Sequence, residues 1–422
     1  IIVFSKNELA YGPGILKGEP YKLRREFKYL ISRMYEHYPD NHVLHYGTQT
    51  VDKTGRRRFQ RVVLSLPKGS AKSELMAIIA LTELHPDAPI RFNGYDPKAP
   101  GGMAPGRSVM SPYIPLLAPT LDQLKDLAYG VAAEIIQLVD DDGIFDVTND
   151  RIMIRGERDS KIIPIAASPK AADGAKTTFQ GIDEPHRLTE DRHIDTVTTM
   201  QNNLPKRYGD DPWQLTTTTA GNPNEDSVAL REFEAGMEIY HGQNTDPDMF
   251  FYHRGTTDAN AKFDTMENRL IALKEASGRE AAEFRDLAAV AKMWADKRQD
   301  HAYLERVWCN RWVKSAKSAF DVTAFKALGD EELMIAPGSR VTLGFDGALT
   351  QDSTALVMTE IETGIQNIVG LWERPDHVDQ WSVPVGEVIA AFEDCFDNYD
   401  VLLAYADPPY WQSVISDLEG KY

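Results

Sequence analysis

One junction constrains this chain more than any other. Arg61-Val-Val-Leu-Ser-Leu66 is a short apolar run stopped by Pro67, and from Ser70 a second apolar stretch carries Leu75, Ile78, Ile79 and Leu81 at helical spacing. The order is strand, loop, helix. Similar runs recur at Tyr113-Ile-Pro-Leu-Leu-Ala118, at 177–183 and at 213–219. A helix is expected over 120–138, with Thr120 as cap and Asp122 in its first turn. Arg151-Ile-Met-Ile-Arg155 and Lys161-Ile-Ile-Pro-Ile165 flank a Gly-containing turn and read as a hairpin, whereas 97–105, rich in Pro and Gly, reads as an exposed insertion. Strands that alternate with helices across 60–240 predict an α/β domain with a mainly parallel sheet.

Composition excludes classes without choosing one. With 42% hydrophobic and 26% charged residues, the chain is neither disordered, collagen-like nor a coiled coil. Cys309 and Cys395 are far apart in sequence, which rules out a disulfide framework or a cysteine zinc site and fits a reducing compartment. No apolar run approaches the roughly 18 residues of a membrane span, so a soluble protein is expected. The net charge is −18, yet residues 1–61 carry +6. That balance argues against nucleic-acid binding over the whole surface and permits a local basic track, including the amphipathic helix expected at 21–37 and Arg56, Arg57 and Arg58.

Pro67-Lys68-Gly69-Ser70-Ala71-Lys72-Ser73 lies where a Walker A loop belongs. There, backbone N–H groups at a helix N-terminus cradle phosphates, the Lys reaches the β and γ oxygens, and the Ser hydroxyl binds Mg²⁺. The usual pattern G-x-x-x-x-G-K-[ST] has Gly where this chain has Leu66 and Ala71, and a Lys-Ser pair also caps ordinary helices. Distal partners separate the readings. Thr178-Phe-Gln-Gly-Ile-Asp183-Glu184 ends a strand candidate on two carboxylates, the first suited to support Mg²⁺ and the second to act as general base on an attacking water. Pro185 behind them also fits a plain turn. Thr217 and Thr218, in Leu215-Thr-Thr-Thr-Thr-Ala220, suit sensing of a γ-phosphate, although four threonines also make a β-prone edge strand. Each motif falls at a strand end, where an open α/β sheet forms its ligand crevice. On this reading Lys68 to Ser73 bind ATP together with Asp183, Thr217 and Thr218, and the Lys72 ammonium faces solvent until nucleotide arrives.

Residues 265–312, rich in Ala, Glu, Lys and Arg, read as joining helices. A β-rich pattern then follows: Val341-Thr-Leu-Gly-Phe345, Thr354-Ala-Leu-Val-Met358, Gln366-Asn-Ile-Val-Gly-Leu371, a helix over 384–395, and Val401-Leu-Leu-Ala-Tyr405. Three strands, a helix and a fourth strand is the order of a ribonuclease H-like fold. Asp346 and Asp407 end its first and fourth strands, which are neighbours in that topology, so the two carboxylates meet and can hold a pair of Mg²⁺ or Mn²⁺ ions for phosphodiester cleavage. A turn role for each Asp is the alternative. Asp352 is a further acid in the region.

These motifs, in this order, resemble the large terminase subunit of tailed double-stranded DNA bacteriophages. The resemblance rests on the 67–73 loop, Gly181-Ile-Asp-Glu184, Thr217-Thr-Thr-Ala220 and the strands holding Asp346 and Asp407. Shorter likenesses are Gly18-Glu-Pro-Tyr-Lys-Leu23, Ser111-Pro-Tyr-Ile-Pro115 and Asn310-Arg-Trp312, so that it spans about residues 15–420. It implies an ASCE-type phosphate-loop ATPase domain over 1–260, a helical linker over 261–335, and a ribonuclease H-like nuclease domain over 336–422 that continues beyond this chain. It also implies ATP with Mg²⁺ at the first site, Mg²⁺ or Mn²⁺ at the second, and catalytic roles for Glu184, Asp346 and Asp407. The implied partners are double-stranded DNA, a portal protein and a small terminase subunit, with a ring of copies docked on a procapsid in the host cytoplasm and no membrane.

The departures from the family pattern are Ala71 for the usual Gly, Lys68 where many relatives carry Arg, and a third nuclease acid expected past Tyr422. Arg151, Arg155 and Arg158 are the candidates for an arginine finger. Two other readings stay open at this level: a helicase-like DNA translocase without nuclease activity, and a non-catalytic DNA-binding virion protein on a decayed ATPase scaffold.

Overall fold

The computed structural model describes residues 1–422 apart from 97, 99–103, 121–127, 168–173, 245, 297, 315–324, 326–327, 331–332, 350–352, 375–380 and 408. Asp122, Asp352 and most of the 97–105 insertion therefore lie outside the described residues. The chain divides into two units, residues 1–319 and 320–422.

In the first unit the apolar runs pair edge to edge. Apart from a small antiparallel hairpin of β1 (Val43–Tyr46) and β2 (Gln49–Asp52), the described strands form one sheet. They are β3 (Arg61–Ser65), β4 (Tyr113–Ala118), β5 (Phe145–Val147), β6 (Ile152–Ile154), β7 (Lys161–Ala166), β8 (Phe179–Asp183), β9 (Trp213–Thr218) and β10 (Met249–His253), in the spatial order β10-β3-β9-β8-β4-β7-β6-β5. Pairing is parallel from β10 through β7, and only the β5-β6-β7 end is antiparallel, which bears out the expected 151–165 hairpin. The central strands are buried on both faces, the ordinary condition of a parallel sheet covered by helices.

The order matters for the site. β9 is inserted between β3, which ends in the 67–73 loop, and β8, which ends in Asp183, so three neighbouring strands deliver three motifs to one edge. The helix Lys72–Leu84 is apolar almost all round and buried along nearly its whole length, so it sits inside the unit and not on its surface. Gly181 lets it approach: a Cβ there would stand 2.6 Å from Leu116 and 2.8 Å from the Met76 sulfur. The helices Met266–Ser277, Arg279–Glu283, Leu287–Lys292 and His301–Cys309 share a core of Leu273, Leu287, Trp294 and Leu304 and belong to the first unit. The expected 120–138 helix is described over Ala128–Val139.

The second unit holds β11 (Arg340–Asp346), β12 (Thr354–Glu360), β13 (Gln366–Trp372) and β14 (Asp400–Ala406) in the order β13-β12-β11-β14. β11-β12 and β12-β13 are antiparallel, and β14 runs parallel to β11. β11 alternates buried and more open residues, and its inward Val341, Leu343 and Phe345 pack with Leu356 and Met358 against Val388, Phe392 and Cys395 of the helix Val385–Asn398. This is the mixed α/β arrangement expected from the strand and helix order.

Candidate functional site

At the end of β3 the chain turns through the 67–73 loop into the helix Lys72–Leu84. Gly69 has φ +77°, and a Cβ there would meet the Arg285 guanidinium at 3.3 Å. Ala71 also adopts the left-handed region, at φ 57° and ψ 38°, where a non-glycine residue is uncommon and strained. The Gly usual at this position of a Walker A loop thus has a physical reason, and Ala71 keeps the conformation at a cost. No side chain caps the helix, and the buried Ser70 Oγ has no hydrogen-bond partner among the described residues. Two arginines grip the loop from outside. Arg24 Nη2 donates to Ser70 O at 2.6 Å, and Arg285 donates to Lys68 O and to Ser277 Oγ. Lys68 is exposed, with its backbone N–H donating to Val307 O at 2.7 Å.

Lys72 corrects one expectation. Its ammonium is buried, not solvent-facing, and donates to Leu66 O at 3.0 Å and Pro67 O at 3.3 Å. Burial pulls its pKa down, while Glu184 and Asp183 push it back up. The physical reason is the strand–helix junction itself: a residue at the first helical position under an inserted strand has no open side to point toward.

Asp183 is fully buried and accepts from Ser73 Oγ at 2.6 Å and from Thr217 Oγ1 at 2.7 Å. Burial first, then the Glu184 charge, push its carboxyl up to about 6 against the pull of those two hydroxyls. Glu184 is held at φ 56° and ψ 43°, left-handed again, by its N–H to Thr217 O at 2.9 Å. That turn carries its carboxylate off the strand to 4.0 Å from Lys72 Nζ and 3.2 Å from His186 Nδ1. Lys72, Ser73, Asp183, Glu184 and Thr217 are therefore drawn into one continuous set of contacts. The Thr217 hydroxyl is turned to Asp183, and the buried Thr218 hydroxyl donates to Thr219 O at 2.8 Å. A cleft of about 580 Å³ opens beside Lys68, Glu184, His186, Arg187, Asn222 and Arg306.

Sequence reasoning passed over Asn310. Fully buried and left-handed, it donates from Nδ2 to Ser65 Oγ at 3.1 Å and Arg254 O at 2.8 Å and accepts from Ala220 N–H at 2.7 Å. One amide thus joins the ends of β3, β9 and β10 to the helix His301–Cys309. The signal was present as Asn310-Arg-Trp312, but a lone Asn after a helix reads as an ordinary end. Arg24, Arg285 and His186 were missed for a similar reason, since each acts on a segment distant in sequence or through a turn.

In the second unit Asp346 and Asp407 end adjacent parallel strands, and Asp407 N–H donates to Phe345 O at 3.0 Å. Both are exposed and line one shallow cleft of about 610 Å³ with Gly344, Thr359, Gln366 and Tyr405. Among the described residues no group of three or more His, Cys, Asp or Glu gathers at a metal-sized site.

The basic triplet needs a further correction. Arg57 is buried, donates to Met34 O, and lies 4.4 Å over both the Tyr35 and Trp213 rings, so it is a core cation and not a solvated contact for DNA. Arg56 lies over the Tyr208 ring, and Arg58 pairs with Glu36 at 3.1 Å. Arg151, Arg155 and Arg158 are exposed, with Arg155 paired to Asp146 at 3.2 Å. No described helix is long and apolar enough to cross a membrane.

No family model matches the chain. It is 23% identical over 420 residues to the Gene 13 protein of Mycobacterium phage D29, covering 88% of this chain and 65% of that protein. The Gene 13 protein of Mycobacterium phage L5 is 22% identical over 415 residues, with 88% and 66% covered. This chain spans about two thirds of the length of these curated relatives. In structure it is similar to the crystal structure of the HK97 bacteriophage large terminase, at a TM-score of 0.52 and 16% identity over 96% of this chain and 78% of that one. With the strand order and the two-unit division already described, the likeness assigns the chain the fold of a phage large terminase.

Proposed function

We propose that this chain is an ATP-driven motor that packages double-stranded viral DNA, with a metal-dependent endonuclease site in its second unit that cuts concatemeric DNA. One observation carries the first half: Ser73, Asp183, Glu184 and Thr217 are joined by hydrogen bonds at the ends of three adjacent strands, beside a helix N-terminus that no side chain caps. A free helix N-terminus attracts phosphate, and the unpartnered Ser70 hydroxyl adds a donor where a phosphate oxygen would need one. Lys72 sets its amine nitrogen under the loop, held by the Leu66 and Pro67 carbonyls and 4.0 Å from Glu184. Ser73 and Asp183 offer only oxygen donors, which fits Mg²⁺, and they would hold it. That ion, when bound, neutralises phosphate charge. Glu184, turned off its strand, is the group free to accept the proton of an attacking water at a carboxylate oxygen.

Asp346 and Asp407 would hold Mg²⁺ or Mn²⁺ at the second site, where their exposed oxygens suit hard cations and, among the described residues, no thiol or imidazole lines the cleft. The ions supply charge stabilisation for phosphodiester cleavage when bound. Double-stranded DNA, a portal protein, a small terminase subunit and further copies of this chain in a ring on the procapsid, in the host cytoplasm, complete the reading, which the large-terminase fold supports. The test is Mg²⁺-dependent ATP hydrolysis by the full chain, with and without double-stranded DNA. Wild type turns ATP over and Lys72→Ala does not. Equal turnover by Lys72→Ala would remove the phosphate loop from this account.

A further inference from the structure

His186 lies two residues past Glu184, in the short 3₁₀ turn Pro185–Arg187. Its Nδ1 stands 3.2 Å from Glu184 Oε2, 3.4 Å from Thr218 Oγ1 and 3.5 Å from Thr219 Oγ1. These neighbours determine which ring nitrogen carries hydrogen. A carboxylate can only accept, and the Thr218 hydroxyl already donates to Thr219 O at 2.8 Å, so toward the ring it too can only accept. Hydrogen on Nδ1 is the tautomer that suits both of these contacts, and Nε2 then keeps its lone pair. Burial, with Arg187 and Lys72 nearby, pushes the ring pKa down to about 3, and Glu225 and Arg306 are the other charged groups bearing on it. The ring is neutral, so its 3.2 Å approach to Glu184 is not an ion pair, and the hydroxyls that Nδ1 meets in hydrogen-bonding geometry are those of Thr218 and Thr219.

The exit of β9 also passes close behind His186. A Cβ on Gly221 would stand 3.1 Å from His186 Cβ and 3.3 Å from the Trp312 ring, tighter than ordinary van der Waals contact. Glycine at 221 is what allows the segment leaving β9 to pass between His186 and Trp312. His186 thus touches the carboxylate proposed as base on one side and the exit of β9 on the other.

We propose that His186 is a positioning residue: its ring, tied through Nδ1 to the hydroxyls at the end of β9 and standing 3.2 Å from Glu184 Oε2, holds the Glu184 carboxylate in place, so that the base is set only while that strand end is packed. The proposal rests on the reading of Glu184 as general base. It goes beyond that reading because it makes the geometry of the base depend on how the exit of β9, residues 218–221, packs against His186. A misplacement of about 1 Å at a reacting group can cost about a hundredfold in rate, so a single orienting contact has ample leverage.

The test uses the full 422-residue chain, steady-state ATP hydrolysis, and binding of a fluorescent ATP analogue. His186→Ala lowers kcat by about tenfold to a hundredfold and changes nucleotide Kd by less than about twofold. His186→Asn puts an amide nitrogen where Nδ1 was and restores kcat to within about threefold, whereas His186→Gln, whose amide reaches toward the Nε2 position, does not. Gly221→Ala, which leaves His186 in the chain but crowds it, lowers kcat by less than His186→Ala does. A wild-type kcat in His186→Ala overturns the proposal, as does an equal loss in the Asn and Gln variants, the result a purely space-filling side chain would give. A readout independent of turnover is the ¹⁵N spectrum of histidine-labelled chain: hydrogen on Nδ1 supports the role, and hydrogen on Nε2 overturns it while leaving Glu184 as base untouched. If instead Glu184→Gln hydrolyses ATP at the wild-type rate, the base reading fails, and the role of His186 fails with it even where the Nδ1–H contact is seen.

Discussion

Two pairs of carboxylates, one in each unit, stand at the ends of neighbouring strands and are built in opposite ways. Asp183 is sealed between the Ser73 and Thr217 hydroxyls with its pKa raised, and Glu184 is held by a left-handed backbone, by Lys72 and by His186. Asp346 and Asp407 are exposed side by side over a shallow cleft. The first pair is arranged by the protein before any ligand arrives, at the expense of burial and backbone strain. The second leaves two like charges adjacent and relies on a cation to bring them into one site. The difference teaches where each unit's energetics lie: substitutions in the first should reshape both stability and rate, and those in the second should act mainly through metal binding.

The sharpest way to break this contrast is Glu184→Gln. It should bind nucleotide and hydrolyse it at least about a hundredfold more slowly, the lower end of what a positioned base contributes; a coupled-enzyme assay with a parallel binding titration checks it. Arg57→Ala comes next. It strips a cation from between two rings and leaves the Met34 carbonyl without its guanidinium donor, so chemical denaturation should show a loss of about 2–3 kcal/mol, while the salt dependence of DNA binding stays unchanged.

Glu232 makes the burial argument pH-dependent. Its Oε1 accepts from Thr216 Oγ1 at 3.2 Å and its Oε2 is buried without a partner among the described residues, and burial pushes its pKa up to about 7 from an ordinary 4.5. Because the folded pKa is raised, the stability this group confers is fully present below about pH 4.5 and lost as pH rises through 7. Glu232→Gln should therefore be more stable than wild type at pH 8, by on the order of 1–2 kcal/mol, and nearly equal to it near pH 5. Thermal unfolding at the two pH values measures this, and a difference of the same size at both would contradict it. The smallest effect belongs to the second unit. Asp346→Asn should relieve repulsion and slightly raise the metal-free unfolding temperature, while losing most of the stabilisation that Mn²⁺ adds by binding the native state. Equal Mn²⁺ shifts in the two proteins would dissolve the shared site.

Much of this was legible before any coordinates. β3, β8, β9 and the four strands of the second unit announce themselves because parallel and core-facing strands are concentrated apolar runs, and Asp183, Asp346 and Asp407 fall where such runs stop. β10 and the β1-β2 hairpin did not stand out, since Met249–His253 mixes aromatics with His and the hairpin is largely exposed. Charge was the least legible property. Lys72 and Arg57 look in sequence like solvated cations, yet the helix junction buries one over two carbonyls and the other slides between Tyr35 and Trp213. Linear order also hides contacts closed over long separations, which is why Asn310, bonded to Ser65 and Ala220, carried no functional signal of its own.

The central claim is that ATP chemistry belongs to the preorganised pair in the first unit and is independent of the exposed pair in the second. It is tested most directly by ATP turnover in three proteins side by side: wild type, Glu184→Gln, and the double variant Asp346→Asn with Asp407→Asn. The account predicts a loss of at least about a hundredfold in Glu184→Gln and wild-type turnover in the double variant. Undiminished hydrolysis in Glu184→Gln, or its collapse in the double variant, would contradict it.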